Sequence, residues 1–222
     1  MRTEGTPDHR SRVAAERREK TRTKLLQSAL HVLSKKGSQA LIGDVIEQAG
    51  VARGSFYNYF KTYDELLVAL AVEINNELLA AIDPIVQCCP EPIERISCGA
   101  RLLLHAVIRF PQFASYIYRL PAPAANSSLL GIRFLTRDVA LGVMVDQFQR
   151  VRQRAAIDLV VGVMFSAAYS LARDVLDAGY PEAIVKAMLQ GLGVEELKAG
   201  KIVELPLPEL VLPATSILQF AK

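Results

Sequence analysis

Residues 42–60 read IGDVIEQAGVARGSFYNYF, and their spacing predicts two short helices joined by a tight corner. Ile42, Val45, Ile46 and Ala49 recur at i, i+3, i+4 and i+7, one face of a 3.6-residue period, and that face must be buried. Gly50 supplies the left-handed or tight backbone that such a corner needs, and Val51 opens the next element with an apolar anchor. From Arg53 to Phe60 the side chains are Arg, Gly, Ser, Phe, Tyr, Asn, Tyr and Phe, too polar and too aromatic for an ordinary core helix. Phe56 and Phe60, four apart, can face the rear of a helix together.

A helix seated in the major groove of DNA presents donors and acceptors to base edges and phosphates while its rear packs on a preceding helix. Arg53, Ser55, Tyr57, Asn58 and Tyr59 offer those groups, and Gly54 lets the backbone approach closely. The competing reading is a buried corner of two helices with solvated polar tips. Charge supports the first. The chain carries 26 Lys and Arg against 23 Asp and Glu, a net of +3. The first 36 residues hold ten basic and four acidic residues, a net of +6 that leaves −3 for the remainder. Lys and Arg beside a duplex release counterions, so a basic segment next to a reading helix can track phosphates. The same run of charge also suits a solvated tail. Residues 1–19 are therefore expected to form a basic flexible arm.

The stretch AGVARGSFYNYFKTYDELL resembles the signature of the TetR (tetracycline-repressor-like) transcriptional regulators. Ala49, Gly50, Val51, Arg53, Gly54, Ser55, Phe56, Tyr57, Tyr59, Phe60 and Leu66 fit that pattern, and the likeness covers about residues 21–79. It implies an all-α fold: an N-terminal three-helix helix-turn-helix DNA-binding domain, residues 20–66, then a larger helical domain for ligand binding and dimerisation, residues 67–200. Four positions depart from the pattern. Leu41 and Ala52 stand where the family usually has hydroxyl residues, Gly43 where it often has a long polar residue, and Tyr63 where it has a Lys that touches phosphate. Lys61 and the basic arm are expected to compensate.

Elsewhere the pattern is helical, with hardly a strand signal. Residues 23–33 place Leu25, Leu26, Ala29, Leu30 and Leu33 on one face before Gly37. Further helices are expected over residues 64–82, closed by Asp83 and Pro84, over 91–109, 112–120 and from Ser127 or Ser128 to 145, then over 152–178 and 181–192. Residues 201–222 alternate apolar residues with prolines and are expected to lie extended over the body. The most apolar stretch, residues 155–172, contains Asp158 and is flanked by Arg154 and Arg173, which favours a packed helix over a membrane span. No apolar run follows the basic start, so no secretory signal is expected, and the expected location is the cytoplasm.

Enzymatic signatures are missing: no GxSxG elbow, P-loop, HExxH pair or dinucleotide glycine fingerprint occurs. No catalytic residue, cofactor or metal is expected. Cys88, Cys89 and Cys98 are too few and too irregular for a zinc site. The expected partners are a double-stranded DNA operator, a second copy of the chain and a small-molecule effector, with no membrane. Arg101, His105 and Arg109 stand at i, i+4 and i+8 on one helix. Pointing inward they can hold an anionic or hydrogen-bonding effector, with Phe113, Tyr116, Phe134, Phe165 and Tyr169 as wall residues; pointing outward they form a solvated face. The family likeness implies a homodimer joined through residues 152–178 and 181–192, with Leu159, Val163, Ser166 and Ser170 toward the mate. It further implies a repressor released from a palindromic operator by its effector. A DNA-binding regulator without such a switch, an activator or a partner-controlled protein, is the alternative, and a helical enzyme or carrier the last.

Overall fold

A computed structural model describes residues 9–110, 129–148, 151–174, 176–213 and 216–218. Among these residues the chain forms nine α-helices and one 3-10 turn, with no strand. The chain divides into two compact units, one ending at Leu70 and the other spanning Ala71–Leu218.

The first unit holds α1 (His9–Lys36), α2 (Ile42–Ala49), α3 (Arg53–Tyr57) and the start of α4 (Tyr63–Gln87). Its core is Leu25, Leu26, Ala29 and Leu30 of α1, Val45 and Ala49 of α2, and Phe56, Phe60, Leu66 and Leu70, all buried. The helix expected from residue 23 starts at His9, so the segment read as a flexible arm is helical from there on. Between His9 and Lys36 no glycine or proline interrupts the helix. Arg12–Glu16 (3.8 Å) and Glu19–Arg22 (3.6 Å) pair across single turns, which supports a solvated helix.

The missing hydroxyl at Leu41 is partly offset. The Asp44 carboxylate accepts the Leu41 N–H at 2.9 Å, the return half of a capping box, and the Lys36 ammonium lies 2.7 Å from the same carboxylate. Those hydrogen bonds, from Lys36 first and the Leu41 backbone second, hold the Asp44 carboxyl below its ordinary value. Thr62 caps α4 by accepting the Glu65 N–H at 3.0 Å, and the Glu65 carboxylate accepts the Lys61 N–H at 2.6 Å.

The second unit is built on α5 (Pro92–Arg109), which packs against α6 (Leu130–Met144), α7 (Gln153–Arg173), α8 (Tyr180–Gly191) and α9 (Glu196–Val203). The expected stop at Pro84 does not occur. That proline sits inside α4, whose final turn persists because Ile82 and Val86, on either side of it, are buried. The helix expected over 152–178 closes at Arg173, where Asp174 turns extended (φ −113°, ψ 148°). An unanticipated α9 runs past residue 201, the expected start of the tail, because Ala199, Ile202 and Val203 bury one face of it. The helix expected over 112–120 and the Ser127 or Ser128 cap lie outside the described residues.

Candidate functional site

The corner between α2 and α3 is made by Gly50, whose backbone is left-handed (φ 58°, ψ 40°), a region costly for residues with a Cβ. The Val51 N–H then closes onto the Ile46 carbonyl at 3.3 Å. Behind α3, Phe56 is fully buried and meets Phe60 with ring centroids 5.9 Å apart. This anchoring turns the opposite side outward. Arg53, Gly54, Tyr57, Asn58 and Lys61 are exposed, and Ser55 and Tyr59 are half-buried.

Of these, Ser55, Asn58 and Tyr59, with Val51 and Ala52, form one side of a groove of about 1090 Å³ between α3 and the first half of α1. Arg17, Arg18 and Thr21 line its other side, and the Arg18 guanidinium lies 6.0 Å from the Tyr59 ring centroid. All seven residues expected to meet DNA lie on α3 or within four residues of its end. Arg17 and Arg18 join them, which the sequence flagged only as charge. Gly54 has a telling environment: a Cβ built there would meet nothing within 4 Å, so packing within the chain does not require glycine.

The residues expected to line an effector site do not gather in one place. Arg101 is buried, donates to the Leu205 carbonyl at 2.8 Å and lies 3.4 Å from the Glu182 carboxylate of α8. His105 Nε2 lies 2.9 Å from the same Glu182 oxygen, and Arg109 donates to the Leu210 carbonyl at 3.2 Å. Burial pushes the Glu182 carboxyl up, but hydrogen bonds from His105, from the Glu182 backbone and from Arg101 outweigh it and hold the group below its ordinary value. The i, i+4, i+8 stripe therefore faces a chain segment beyond α9 that lacks regular structure and fastens it to α5. Arg101 is buried, His105 half-buried and Arg109 exposed, and the three line an open pocket of about 440 Å³ together with Glu182, Leu207 and Leu210. Arg101 and Arg109 each spend a donor on a backbone carbonyl that has no helical partner of its own, and Arg101 and His105 share the Glu182 carboxylate.

Phe134 and Phe165 do share a cavity, of about 150 Å³, elsewhere in the second unit. Its walls come from α4, α5, α6 and α7 and are mostly apolar, among them Leu79, Ile96, Leu103 and Met164. Asn75, Asp83, Arg95 and Asp138 supply the polar exceptions. Tyr169 is exposed and accepts a hydrogen bond from Arg173 at 2.6 Å, away from that cavity. Phe113 and Tyr116 lie outside the described residues. The cavity's polar residues went unread because Asn75, Asp83 and Asp138 are far apart in the sequence or on different helices and form no motif, so only the packing of four helices brings them to one cavity.

Cys89 and Cys98 are unsuited to thiolate chemistry. Burial first, and then the neighbouring Cys89, push the Cys98 thiol up to about 12, and burial likewise raises Cys89.

Residues 25–70 match the family profile described as bacterial regulatory proteins, tetR family. The uncharacterized HTH-type transcriptional regulator YvdT of Bacillus subtilis (strain 168) is 41% identical over 60 residues. That match covers 27% of this chain and 31% of the length of YvdT. Among solved structures, RolR in complex with resorcinol superposes with a TM-score of 0.70 at 24% identity, over 89% of this chain and 100% of RolR. FadR from Bacillus subtilis, in complex with stearoyl-CoA, gives a TM-score of 0.59 at 16% identity, over 78% of this chain and 99% of FadR. At these identities the two structures speak for the fold.

Proposed function

The chain belongs, through its helix-turn-helix, to the TetR family of bacterial regulatory proteins, and from that premise we propose that it is a dimeric DNA-binding repressor released from a palindromic operator by a small molecule held in the cavity of its second unit. The observation that carries the DNA reading is the two-sided α3, with Phe56 wholly buried behind and an exposed polar edge in front. Arg53, Ser55, Tyr57, Asn58 and Tyr59 meet base edges and nearby phosphates, and Gly54 admits the duplex close to the backbone. Lys61, and Arg17 and Arg18 of the groove wall, engage phosphates in place of the donors absent at Leu41, Gly43, Ala52 and Tyr63.

A second copy is supported by α7. This helix is long and apolar enough to cross a membrane, with a mean hydropathy of 1.8 over its most apolar window, yet only 22% of that window is buried within the chain. Gly162 and Ser166 are exposed on it, and small residues let another helix come close. A symmetry mate packed on α7 and α8 covers that surface and repeats α3 once per protomer, about 34–36 Å apart or a multiple of that. Such a mate, in the cytoplasm, is the occupant proposed here rather than lipid.

For control by a small molecule, the support is the cavity itself and the effector-like ligands of fold relatives, resorcinol for RolR and stearoyl-CoA for FadR. α4 is covalently common to both units, with Asn75, Leu79, Ile82 and Asp83 of its second part lining the cavity. An effector shifts the operator equilibrium only by its difference in affinity for the two conformations, and α4 is the element through which that difference is transmitted. The test is selection of bound duplexes from a random pool, followed by salt titration of the recovered site. A palindrome, with a salt slope that flattens in Lys61→Ala, is expected. Recovery of no preferred sequence at low salt overturns the proposal.

A further inference from the structure

The first half of α1 buries almost nothing. From Ser11 to Lys20 every residue is exposed except the half-buried Val13, and the buried stretch of the helix starts at Leu25. A helix that is polar all round is held by pairs one turn apart rather than by packing. Those pairs account for its stability but not for how its charge is distributed.

Glu16 and Glu19 are the only acidic residues between His9 and Lys36, and each is paired within the helix, with Arg12 at 3.8 Å and with Arg22 at 3.6 Å. Positions 12, 16 and 19 follow i, i+4 and i+7 and so share one face. Positions 13, 14, 17, 18 and 21 turn the other way and line the groove shared with α3. There Arg17 and Arg18 have no ion pair with any described residue, and no described acidic residue lines the groove. The helix thus neutralises its outer face and leaves its cations free on the inner one. Across the groove, the side chains of Ser55 and Asn58 make no hydrogen bond to a described residue.

One cationic wall facing a wall of hydroxyl and amide groups suits a polyanionic strand, and the apolar Val13, Ala14, Val51 and Ala52 between them suit its sugar carbons. The position of the groove selects the strand. Ser55, Asn58 and Tyr59 belong both to it and to the surface of α3 set against DNA, so a duplex seated on α3 brings a sugar–phosphate backbone to its edge. The free stretch from Ser11 to Lys20 is about 15 Å long, the axial rise of about four base pairs. We propose that the groove seats one sugar–phosphate strand of the operator, and that the first half of α1 continues along it to grip about four base pairs beyond those that α3 reads. Phosphates carry no sequence, so this grip is indifferent to the bases it covers. The inference rests on the DNA reading above and extends it from a reading helix to a clamp of two elements.

The test uses the full chain and the selected operator in two lengths, one trimmed to the outermost preferred base pairs and one extended on both sides with unselected sequence. Affinity is measured by fluorescence anisotropy over a salt series. The extended duplex is expected to bind at least about tenfold more tightly at low salt, whatever its flanking sequence. Arg17→Ala combined with Arg18→Ala should bind the two lengths alike, with a log–log salt slope shallower by about 2 per protomer. Alanine favours helix at least as well as arginine, so α1 should stay helical by circular dichroism. Arg12→Ala combined with Arg22→Ala removes the same charge from outside the groove and should keep the preference for the longer duplex. Equal affinity of the unaltered chain for both lengths overturns the clamp. So does a length preference that survives the loss of Arg17 and Arg18, that disappears equally without Arg12 and Arg22, or that varies with the flanking bases. Each of these leaves the reading by α3 standing, whereas recovery of no preferred sequence overturns that reading and the clamp with it.

Discussion

On α3, the side chains of Arg53, Tyr57 and Asn58 make no hydrogen bond to any described residue, whereas on α5 the side chains of Arg101, His105 and Arg109 are all held by carboxylate or carbonyl groups of the same chain. Both rows look alike as sequence: polar and cationic groups at helical spacing beside aromatic residues. The difference is what the fold places opposite them. α3 is backed by Phe56 and faces open space, so its donors remain for a partner outside the chain. α5 runs through the middle of its unit, and the segment after α9 supplies it with acceptors. A polar stripe therefore signals a binding surface only when the chain leaves it unsatisfied, and that property belongs to packing rather than to spacing.

The sharpest way to break this contrast is to attack what holds each row in place. Phe56→Ala removes the fully buried ring that orients α3, and about 3–5 kcal/mol of stability should be lost from the first unit. Chemical denaturation followed by a probe in the first unit checks it. A loss below about 1 kcal/mol would mean that the outward edge of α3 is not set by that ring.

On α5 the same kind of test should report stability, with no direct effect on DNA contacts. Arg101→Ala leaves the Leu205 carbonyl and the Glu182 carboxylate short of a donor, and about 2 kcal/mol should be lost from the second unit. The pH dependence follows from the direction of the Glu182 shift. A carboxyl held below its ordinary value contributes stability above that value and loses the contribution as pH falls through its folded value. Thermal scans from neutral to acid pH should show the segment after α9 loosening through the carboxylate range. Glu182→Gln should remove that part of the profile, and an unchanged profile would dissociate Glu182 from the fastening.

How far each region could be read from residues alone follows the same division. The α2–α3 corner was legible because its determinants are local: a 3.6-residue apolar period, Gly50 at the turn, and Phe56 and Phe60 four apart. The helical start at His9 was not, because ten basic residues suggest a solvated arm and the helix relies on weak pairs such as Arg12–Glu16. Pro84 misled in the other direction, since tertiary burial of Val86 overrides a local stop signal. The cavity was the least legible part. Phe134 and Phe165 could be proposed as walls, but Asn75, Asp83 and Asp138 acquire meaning only when α4, α6 and α7 converge.

A smaller effect sharpens the contrast at the junction of α3 and α4. Thr62 accepts the Glu65 N–H at 3.0 Å, so Thr62→Ala should cost about 1 kcal/mol through the lost cap. Thr62→Ser should restore most of it. Equal stability of the two variants would show that the Glu65 carboxylate bonded to the Lys61 N–H suffices to hold the start of α4.

The smallest change in stability carries the most information about function. Gly54 lies exposed in α3, and the space where its Cβ would stand is empty to 4 Å. Glycine disfavours helix relative to alanine, so Gly54→Ala should leave the fold intact and stabilise it by roughly 0.5 kcal/mol. Affinity for the selected duplex should nevertheless fall, because the added methyl occupies the space through which the backbone approaches the DNA. Stability and binding moving in opposite directions is an outcome that a merely structural corner cannot produce: such a corner, made slightly more stable, would bind DNA as well as before or not at all in either form. Alanine at this position with both quantities improved would place the duplex on another face of the unit.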